Sequence, residues 1–321
     1  MGGRQRRRRG GNSPAPRTDQ CPVNPAYLEY QQQKAAGALK TETSEGHALG
    51  YKPPIKDLRP VNDYPVEVSK AKGAPPAYFD WRTQKGPTGV RDQGQCGTCW
   101  AFATMGSLEA FFHIWGGKNY YLSVNNMASC QWPYLLGRCD GGDSFIASSN
   151  LVGIYWKYFK KGGYWDNTPR GALTNGKDPY NQYSHNSAKC DNRPTPSAMV
   201  DSFRWIAADP TSIKNAIMNY GPVTTALYMT ESAPWYNPAT ATLNYPSSAP
   251  YNTNHMVVLV GWDDSTASGL PKTAGERNGA RRAISISSTA PPTSSDGTTW
   301  PSTRPGITTS TNCSMRKTSR G

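Results

Sequence analysis

Residues 90–115 read Val-Arg-Asp-Gln-Gly-Gln-Cys-Gly-Thr-Cys-Trp-Ala-Phe-Ala-Thr-Met-Gly-Ser-Leu-Glu-Ala-Phe-Phe-His-Ile-Trp. From Cys99 onward, apolar residues recur at three- and four-residue steps, which predicts a buried amphipathic helix. They are Phe102, Ala103, Met105, Leu108, Phe111, Phe112 and Trp115. A cysteine in the first turn of a helix faces unpaired backbone N–H groups and the positive end of the helix dipole, which both favour the thiolate. The stretch therefore predicts a sulfur nucleophile at Cys99, provided that a base lies near.

A second motif lies far downstream, where residues 254–262 read Asn-His-Met-Val-Val-Leu-Val-Gly-Trp. This apolar run, which carries His255, predicts a buried strand. The segment 93–100, Gln-Gly-Gln-Cys-Gly-Thr-Cys-Trp, resembles the active-site signature of papain-like cysteine peptidases, with Thr98 where Ser or Ala is usual. That family places its histidine in such a downstream strand. The two motifs, in this order, carry the family resemblance, and the segments at 25–30 and 46–50 resemble the leader of its bacterial and archaeal surface-type members.

The resemblance implies a cysteine-type endopeptidase that acts on peptide or protein substrates with no cofactor and no metal. Cys99 would attack the peptide carbonyl, and His255 would pair with the thiolate and then protonate the leaving amine. Gln93 would donate a side-chain N–H to the developing oxyanion. Carried over by position, the groove for the substrate would be lined by Gly141, Gly142, Ala226 and Asn254. The other histidines, His47, His113 and His185, have no such context and are interpreted as structural.

The seven cysteines are also interpreted through the resemblance. It implies disulfides between Cys96 and Cys139 and between Cys130 and Cys190. Four bridging cysteines and one nucleophile are typical of an oxidising compartment, so we expect an extracellular or cell-surface protein. Cys21 and Cys313 stay unassigned.

Two other interpretations of the Cys-Gly-Thr-Cys segment at 96–99 are rejected. A zinc site would need a second close pair, but Cys130 and Cys139 are nine residues apart and no histidine accompanies them. A thioredoxin-type redox pair is normally preceded by Trp and framed by a βαβ unit, whereas here Trp100 follows the pair.

The order of elements predicts an α+β fold, with helices before about residue 195 and strands after it. Residues 209–222 contain a well-delimited helix, with Asp209 as cap, Pro210 at the first position and Gly221-Pro222 at the exit. Residues 223–228 alternate β-branched side chains and predict a strand. The family resemblance implies a two-lobed fold, with Cys99 from the helical lobe facing His255 from a β-barrel-like lobe across a cleft.

Five segments are expected: a disordered Arg-rich end (1–20), a leader-like arm (21–77), the helical lobe with the nucleophile (78–195), the β lobe with the histidine (196–280) and a low-complexity Ser/Thr/Pro/Arg tail (281–321). The arm resembles the leader of the surface-type members around residues 46–50. Whether it inhibits the enzyme or merely packs on the domain surface is left open.

The formal net charge of +13 belongs to the chain ends. Residues 1–20 carry six Arg and one Asp, and residues 281–321 carry five Arg, one Lys and one Asp, so the ends supply +10 of the total. An Arg run can bind phosphates, but a solvated end is the simpler interpretation, and we expect no nucleic-acid partner. We also expect no signal peptide, no membrane span and a monomer.

The family pattern stops abruptly after Asn278-Gly279-Ala280. The Asn that orients the histidine should fall at position 285, where Ser285 stands. A Ser/Thr/Pro stalk or a loss by drift would explain this break, but we favour a reading-frame error near codon 281. The other two frames of the DNA should then encode a Lys-Asn-Ser-Trp-Gly-like run. An impaired chain, acting as a peptide-binding module or existing as a damaged copy, is the alternative function.

Overall fold

A computed structural model describes residues within 28–37, 43–53, 66–67, 74–84, 89–130, 138–151, 171–182, 194–206, 210–229, 236–243 and 253–272, with short gaps inside some of these ranges. The predicted ends at 1–20 and 281–321, with Ser285, lie outside the described residues, and so does Cys190. Within the described ranges, no helix is long and apolar enough to cross a membrane.

The described helices are α1 (Trp81–Gln84), α2 (Cys99–Gly116), α3 (Val124–Ser129), α4 (Ser144–Leu151) and α5 (Pro210–Tyr220). The described strands are β1 (Thr43–Ser44), β2 (His47–Ala48), β3 (Val66–Glu67), β4 (Tyr78–Asp80), β5 (Trp205–Ile206), β6 (Val223–Leu227), β7 (Tyr236–Asn237), β8 (Thr242–Leu243), β9 (His255–Asp263) and β10 (Ser268–Lys272). Most helices thus precede most strands, as the sequence predicts for an α+β protein.

Helix α2 begins at the predicted nucleophile and ends at Gly116, and the next residue, Gly117, has a left-handed φ of 59° and donates its N–H to the His113 carbonyl. Every residue from 99 to 106 is buried, so this half of the helix is covered on all sides. The prediction of one continuous buried stripe is wrong at the other end, where Phe111 and Trp115 are 44% and 52% exposed. The helix leaves the core there, so residues with the same spacing reach the surface.

Strand β9 is the centre of the largest sheet. It pairs antiparallel with β4 and β6 along one edge and with β10 along the other, and β10 continues to β8 and β7. Residues 255–262 are all buried, because helices α2 and α5 also pack against the strand. A strand covered on both faces needs an unbroken apolar run, which is the pattern found from Met256 to Val260.

The predicted elements of the second half are confirmed with small shifts of their ends. The helix predicted over 209–220 is α5, which starts at Pro210 as expected for a proline in the first turn. Gly221 follows with a φ of 99°, and β6 comes next. The segment Tyr78–Asp80, by contrast, opens the predicted helical lobe but belongs to the sheet, where it pairs with β9.

Among the residues that the structure describes, two buried clusters fill the interior. The larger cluster surrounds the first half of α2 and the buried face of β9. The smaller one contains Trp81, Trp262 and residues of α5, and Phe79 stacks on Trp262 at a centroid distance of 5.2 Å. The Trp81 indole N–H donates to the Ile217 carbonyl at 2.8 Å, which ties α1 to α5. These contacts fix the start of the domain against the strand that carries the predicted catalytic histidine.

Candidate active site

Cys99 is the first residue of α2 and is completely buried. Its own backbone N–H and that of Trp100 lie in the first turn and act to lower the pKa of its thiol. Thr98, which precedes it, makes no side-chain cap, so its hydroxyl does not compete for the N–H groups of this turn. Among the described cysteines it is the one with a free thiol.

His255 is the first residue of β9, where it lies opposite Leu227 of β6 and is only 6% exposed. The next residue, Met256, hydrogen-bonds to the Cys99 sulfur through its backbone N–H. The fold therefore brings the start of the histidine strand to the start of the cysteine helix, although the two are separated by 156 positions in the sequence. His113 lies in the last turn of α2, at the opposite end from Cys99.

Gln93 lies in the polar loop before α2, and its side chain is fully buried. Its Nε2 donates to two carbonyl oxygens, that of Cys96 at 3.0 Å and that of Ala48 at 2.7 Å. The predicted oxyanion donor thus already binds a peptide carbonyl that comes from the arm before the domain.

The two cleft glycines follow a disulfide that joins their loop to the loop of Gln93. Cys96 and Cys139 form this bond, as the resemblance implies. Gly142 packs so closely on Trp100 that a Cβ there would lie 2.6 Å from the indole ring. Gly141 has a φ of 104°, and a Cβ on it would meet the Gly50 carbonyl at 2.7 Å. Any larger residue at either position would fill space that the backbone of residue 50 and a buried ring now occupy.

Ala226 and Asn254 complete the set of predicted groove residues. Ala226 is buried opposite Met256 in the sheet. The Asn254 side chain binds the backbone of Met229 at both ends, since Oδ1 accepts from the N–H at 2.8 Å and Nδ2 donates to the carbonyl at 2.9 Å. This bidentate contact orients the peptide before His255 and leaves the Asn254 carbonyl facing Tyr51.

A segment of the arm, residues 48–52, lies in this groove and is called the cleft segment below. Gly142 donates its N–H to the Gly50 carbonyl at 2.9 Å and accepts from the Lys52 N–H at 3.0 Å, so Tyr51 and Gly142 form a parallel bridge. On the other side, the Tyr51 N–H donates to the Asn254 carbonyl at 2.9 Å. Tyr51 itself is buried as part of the larger core cluster.

Gly50 is the residue of the cleft segment whose backbone acts on the predicted nucleophile Cys99. Its backbone N–H hydrogen-bonds to the Cys99 sulfur. A Cβ on Gly50 would lie 1.8 Å from the Gly97 carbonyl oxygen, which is a backbone atom that cannot swing away. Only glycine therefore fits at this position of the cleft segment.

With the cleft segment in the groove, burial determines the pKa of the Cys99 thiol. Burial raises the pKa of Cys99 to about 11, although the backbone N–H groups of Met256, Gly50, Trp100 and Cys99 itself act to lower it. The N–H groups at the helix start lower the pKa of the thiol, as expected, but in this closed arrangement the loss of water raises it by more.

Sequence reasoning missed the placement of the cleft segment and also the role of Tyr180, whose hydroxyl donates to the Gln93 carbonyl at 2.8 Å. Neither carries a periodic pattern. The only local signal was the glycine at position 50. Cys130 is disulfide-bonded, but Cys190 lies outside the described residues, so their pairing stays a prediction. In the part of the chain that the structure describes, no three His, Cys, Asp or Glu side chains are grouped as a metal site.

Known proteins share both sequence and fold with this chain. It is similar to a viral cathepsin of Heliothis zea nuclear polyhedrosis virus, with 30% identity over 195 residues, which are 60% of this chain and 47% of the relative. It is also similar to cathepsin L1 of Drosophila melanogaster, with 30% identity over 198 residues, or 61% and 48% of the two chains. The chain thus spans about half the length of these curated relatives.

Among solved structures, the chain is similar to the cysteine protease and lectin-like domains of Cwp84, a surface layer associated protein of Clostridium difficile. The TM-score is 0.61 at 21% identity, over 87% of this chain and 59% of that one. Digestive procathepsin L 3 of Tenebrio molitor larval midgut gives a TM-score of 0.52 at 21% identity, over 81% of both chains. These likenesses confirm the papain-like, two-lobed α+β fold. Residues 75–271 match the family described as papain family cysteine protease, and since this is more than half of the sequence, the chain belongs to that family.

Proposed function

We propose that this chain is a cysteine-type endopeptidase in which Cys99 is the nucleophile, His255 its acid–base partner and Gln93 the oxyanion donor. One observation carries the proposal. The Gln93 amide holds a peptide carbonyl, that of Ala48, at 2.7 Å within the same groove in which the Cys99 sulfur receives backbone N–H groups. A site that binds main-chain amides beside a buried thiol is suited to attack on a peptide bond.

The reaction follows from these positions. The Cys99 thiolate forms a bond to the carbonyl carbon, and the π electrons move to oxygen, where the Gln93 Nε2–H and the Cys99 N–H stabilise the negative charge. The C–N bond then breaks as the His255 imidazolium gives its proton to the leaving amine. Water, deprotonated by the now neutral imidazole, attacks the thioester and releases the acid and the thiol.

The groove residues would hold the substrate by its main chain. Gly142 offers one N–H and one carbonyl, and the Asn254 carbonyl offers a further acceptor, each of which is now used by the cleft segment. Contacts of this kind depend on the peptide backbone and accept many sequences. They suit a protein or peptide substrate of no fixed sequence.

We assign an inhibitory role to the cleft segment within this function. It occupies the oxyanion donor and the groove, and it presents the amide N–H of Gly50 to the sulfur. The enzyme would therefore become active only after the arm has left the groove or has been cut. The alternative, an arm that merely packs on the domain surface, does not explain why the arm binds the Gln93 amide and the backbone of Gly142 and Asn254.

The two disulfide-bonded loops support an oxidising location. The Cys96–Cys139 bond is formed and Cys130 is also disulfide-bonded, in a fold whose remaining described cysteine is the buried nucleophile. Disulfides of this kind persist outside the reducing cytosol. We therefore propose an extracellular or cell-surface enzyme.

The test is proteolysis of denatured casein by the full chain, with the cut sites located by mass spectrometry. It is run on the wild type and on Gly50→Ala, which should open the groove, and each is paired with a Cys99→Ala version. Gln93→Glu serves as a matched variant that keeps the shape of the side chain but loses the donated N–H. We expect cleavage that is fastest in Gly50→Ala, lost with Cys99→Ala, and reduced by about 10²-fold or more in Gln93→Glu.

The outcome that overturns the proposal is equally specific. If Gly50→Ala binds casein peptides but cuts none, and adding Cys99→Ala leaves the affinity unchanged, the chain is a peptide-binding module. Loss of both cleavage and binding, with normal folding, would indicate a damaged copy.

A further inference from the structure

The hydroxyl of Tyr180 lies between the two parts of the proposed catalytic apparatus. It donates to the Gln93 carbonyl at 2.8 Å, and the Thr98 Oγ1 lies 2.8 Å from the same hydroxyl. A carbonyl oxygen can only accept, so the phenol proton points to Gln93 and the Thr98 hydroxyl donates to Tyr180. The three groups form one chain of hydrogen bonds, from Thr98 through Tyr180 to Gln93.

Thr98 ties this chain of bonds to the nucleophile. It is the residue immediately before Cys99, and its carbonyl accepts from the N–H groups of Ala101 and Phe102 in the first turn of α2. A threonine at this position usually caps a helix with its side chain, but here the side chain makes no cap bond. The hydroxyl is directed to Tyr180, with the Cys96 carbonyl as a longer second neighbour at 3.3 Å.

Tyr180 is itself held from several sides. Its ring packs edge-on against Phe102 with a centroid distance of 4.9 Å, and its N–H donates to Asn175 Oδ1 at 3.1 Å. Asp178, two residues earlier, accepts from Ser123 Oγ at its carbonyl and from Asn125 Nδ2 at its carboxylate. Burial raises the pKa of Tyr180 to about 12, so the phenol keeps its proton at neutral pH and remains a donor.

The Gln93 side chain needs such outside support. Its Oε1 is buried and, among the described residues, has no hydrogen-bond partner. The orientation of the amide therefore depends on the bonds that Nε2 makes and on the position of the Gln93 backbone. In the open enzyme the Ala48 carbonyl is gone, and the constraints that remain are the bond from Nε2 to the Cys96 carbonyl and the position of the Gln93 backbone.

We propose that Tyr180, together with Thr98, is a positioning residue for the addition of the thiolate to a carbonyl: it holds the backbone of the oxyanion donor Gln93 at a fixed place relative to Cys99. This role rests on the proposed peptidase function. Tyr180 acts through its hydrogen bonds with Gln93 and Thr98. Its loss should weaken stabilisation of an oxyanion and leave a displacement reaction at the same sulfur unaffected.

The test compares two reagents that attack Cys99 by different chemistry in the full-length chain. With iodoacetamide the sulfur displaces iodide from a saturated carbon, and no oxyanion forms. With p-nitrophenyl acetate the sulfur adds to the ester carbonyl, an oxyanion forms, and p-nitrophenolate leaves. Both reagents reach Cys99 only when the cleft segment moves out, so the ratio of the two rate constants cancels that opening step.

We expect Tyr180→Phe, which keeps the ring on Phe102, to lower the acylation-to-alkylation ratio about tenfold, a fraction of the loss seen when an oxyanion donor is removed outright. Thr98→Val should lower it similarly, Thr98→Ser should recover most of that loss, and the Tyr180→Phe/Thr98→Val pair should fall no further than either alone. Tyr120→Phe is the matched control, because this ring also packs edge-on against a phenylalanine, Phe112, near the far end of α2.

The outcomes separate the two proposals. Equal ratios in the wild type and Tyr180→Phe, or a joint fall of both rates with a lowered melting temperature, would show a purely structural tyrosine and overturn the inference. Suppose instead that the wild-type chain is alkylated at Cys99 but not acylated, and that Gly50→Ala cleaves no casein. That result would overturn both the peptidase function and this role of Tyr180.

Discussion

The carbonyl oxygen of Ala48 accepts a 2.7 Å hydrogen bond from the side-chain amide of Gln93. The proposed oxyanion donor is therefore occupied by the chain's own backbone. Three further main-chain bonds join residues 50–52 to Gly142 and Asn254. At about 1 kcal/mol for each of the four bonds, opening the groove would cost on the order of 4 kcal/mol, so roughly one molecule in a thousand would be open.

Gly50→Ala should open the groove, because the added Cβ would lie 1.8 Å from the Gly97 carbonyl. We expect the rate of Cys99 alkylation by iodoacetamide at pH 7 to rise by tenfold to a thousandfold, measured by mass spectrometry of the labelled peptide. Gly176→Ala is the matched control, since a Cβ there meets nothing within 4 Å. An unchanged rate in Gly50→Ala would mean that the cleft segment does not control access to the thiol.

The pH dependence of alkylation should differ between the closed and open chains. The thiolate reacts, and burial raises the pKa of Cys99 to about 11 in the closed form, so the closed thiol keeps its proton as the pH rises. The wild-type rate should therefore still climb about tenfold per pH unit between pH 6 and pH 10. In Gly50→Ala, where water reaches the sulfur, the rate should level off at a lower pH. A plateau at the same pH in both chains would contradict the prediction.

The parts of the site that sequence could predict are those with a local pattern. Cys99 follows a polar, glycine-containing loop and begins a run of helical periodicity, while His255 begins an uninterrupted apolar strand. The helix α5 is delimited by Pro210 and Gly221, which act on their own neighbours. Signals of this kind depend on residues a few positions apart, so they can be recognised without knowledge of the fold.

The parts that could not be predicted depend on distant backbone contacts. The cleft segment binds Gly142 and Asn254 through N–H and carbonyl groups that every residue possesses, so its sequence has no distinguishing pattern. The pairing of Tyr78–Asp80 with β9 has the same character. The exposure of Trp115 depends on where the core ends along α2, and helical spacing carries no information about that limit.

Gly142→Ala should destabilise the folded domain, because its Cβ would lie 2.6 Å from the ring of Trp100, which is completely buried. Overpacking of a core in this way typically costs about 1–3 kcal/mol, so we expect the urea midpoint to fall accordingly. Gly89→Ala, where a Cβ meets nothing within 4 Å, should leave the midpoint within error. A stability of Gly142→Ala equal to that of Gly89→Ala would show that the ring moves aside.

The buried pair Arg91–Glu109 should matter much more than the surface pair Lys214–Asp264. Glu109 is fully buried and accepts from Arg91 at 2.8 Å and from the Leu122 N–H at 2.7 Å. Arg91→Met would remove the cation that pairs with that buried carboxylate, so the free energy of unfolding should fall by about 3–5 kcal/mol. Lys214→Met should cost less than about 1 kcal/mol, because Asp264 is more than a third exposed and water screens the pair.

Adding Glu109→Gln to Arg91→Met identifies the cause of that loss. The amide oxygen still accepts from the Leu122 N–H but carries no charge, so the double variant should be more stable than Arg91→Met alone. Guanidinium denaturation of the three chains measures the difference. If the double variant is instead the least stable, the loss comes from the Arg91 contacts with Phe102, Tyr121 and the Leu122 carbonyl, and the unpaired carboxylate contributes little.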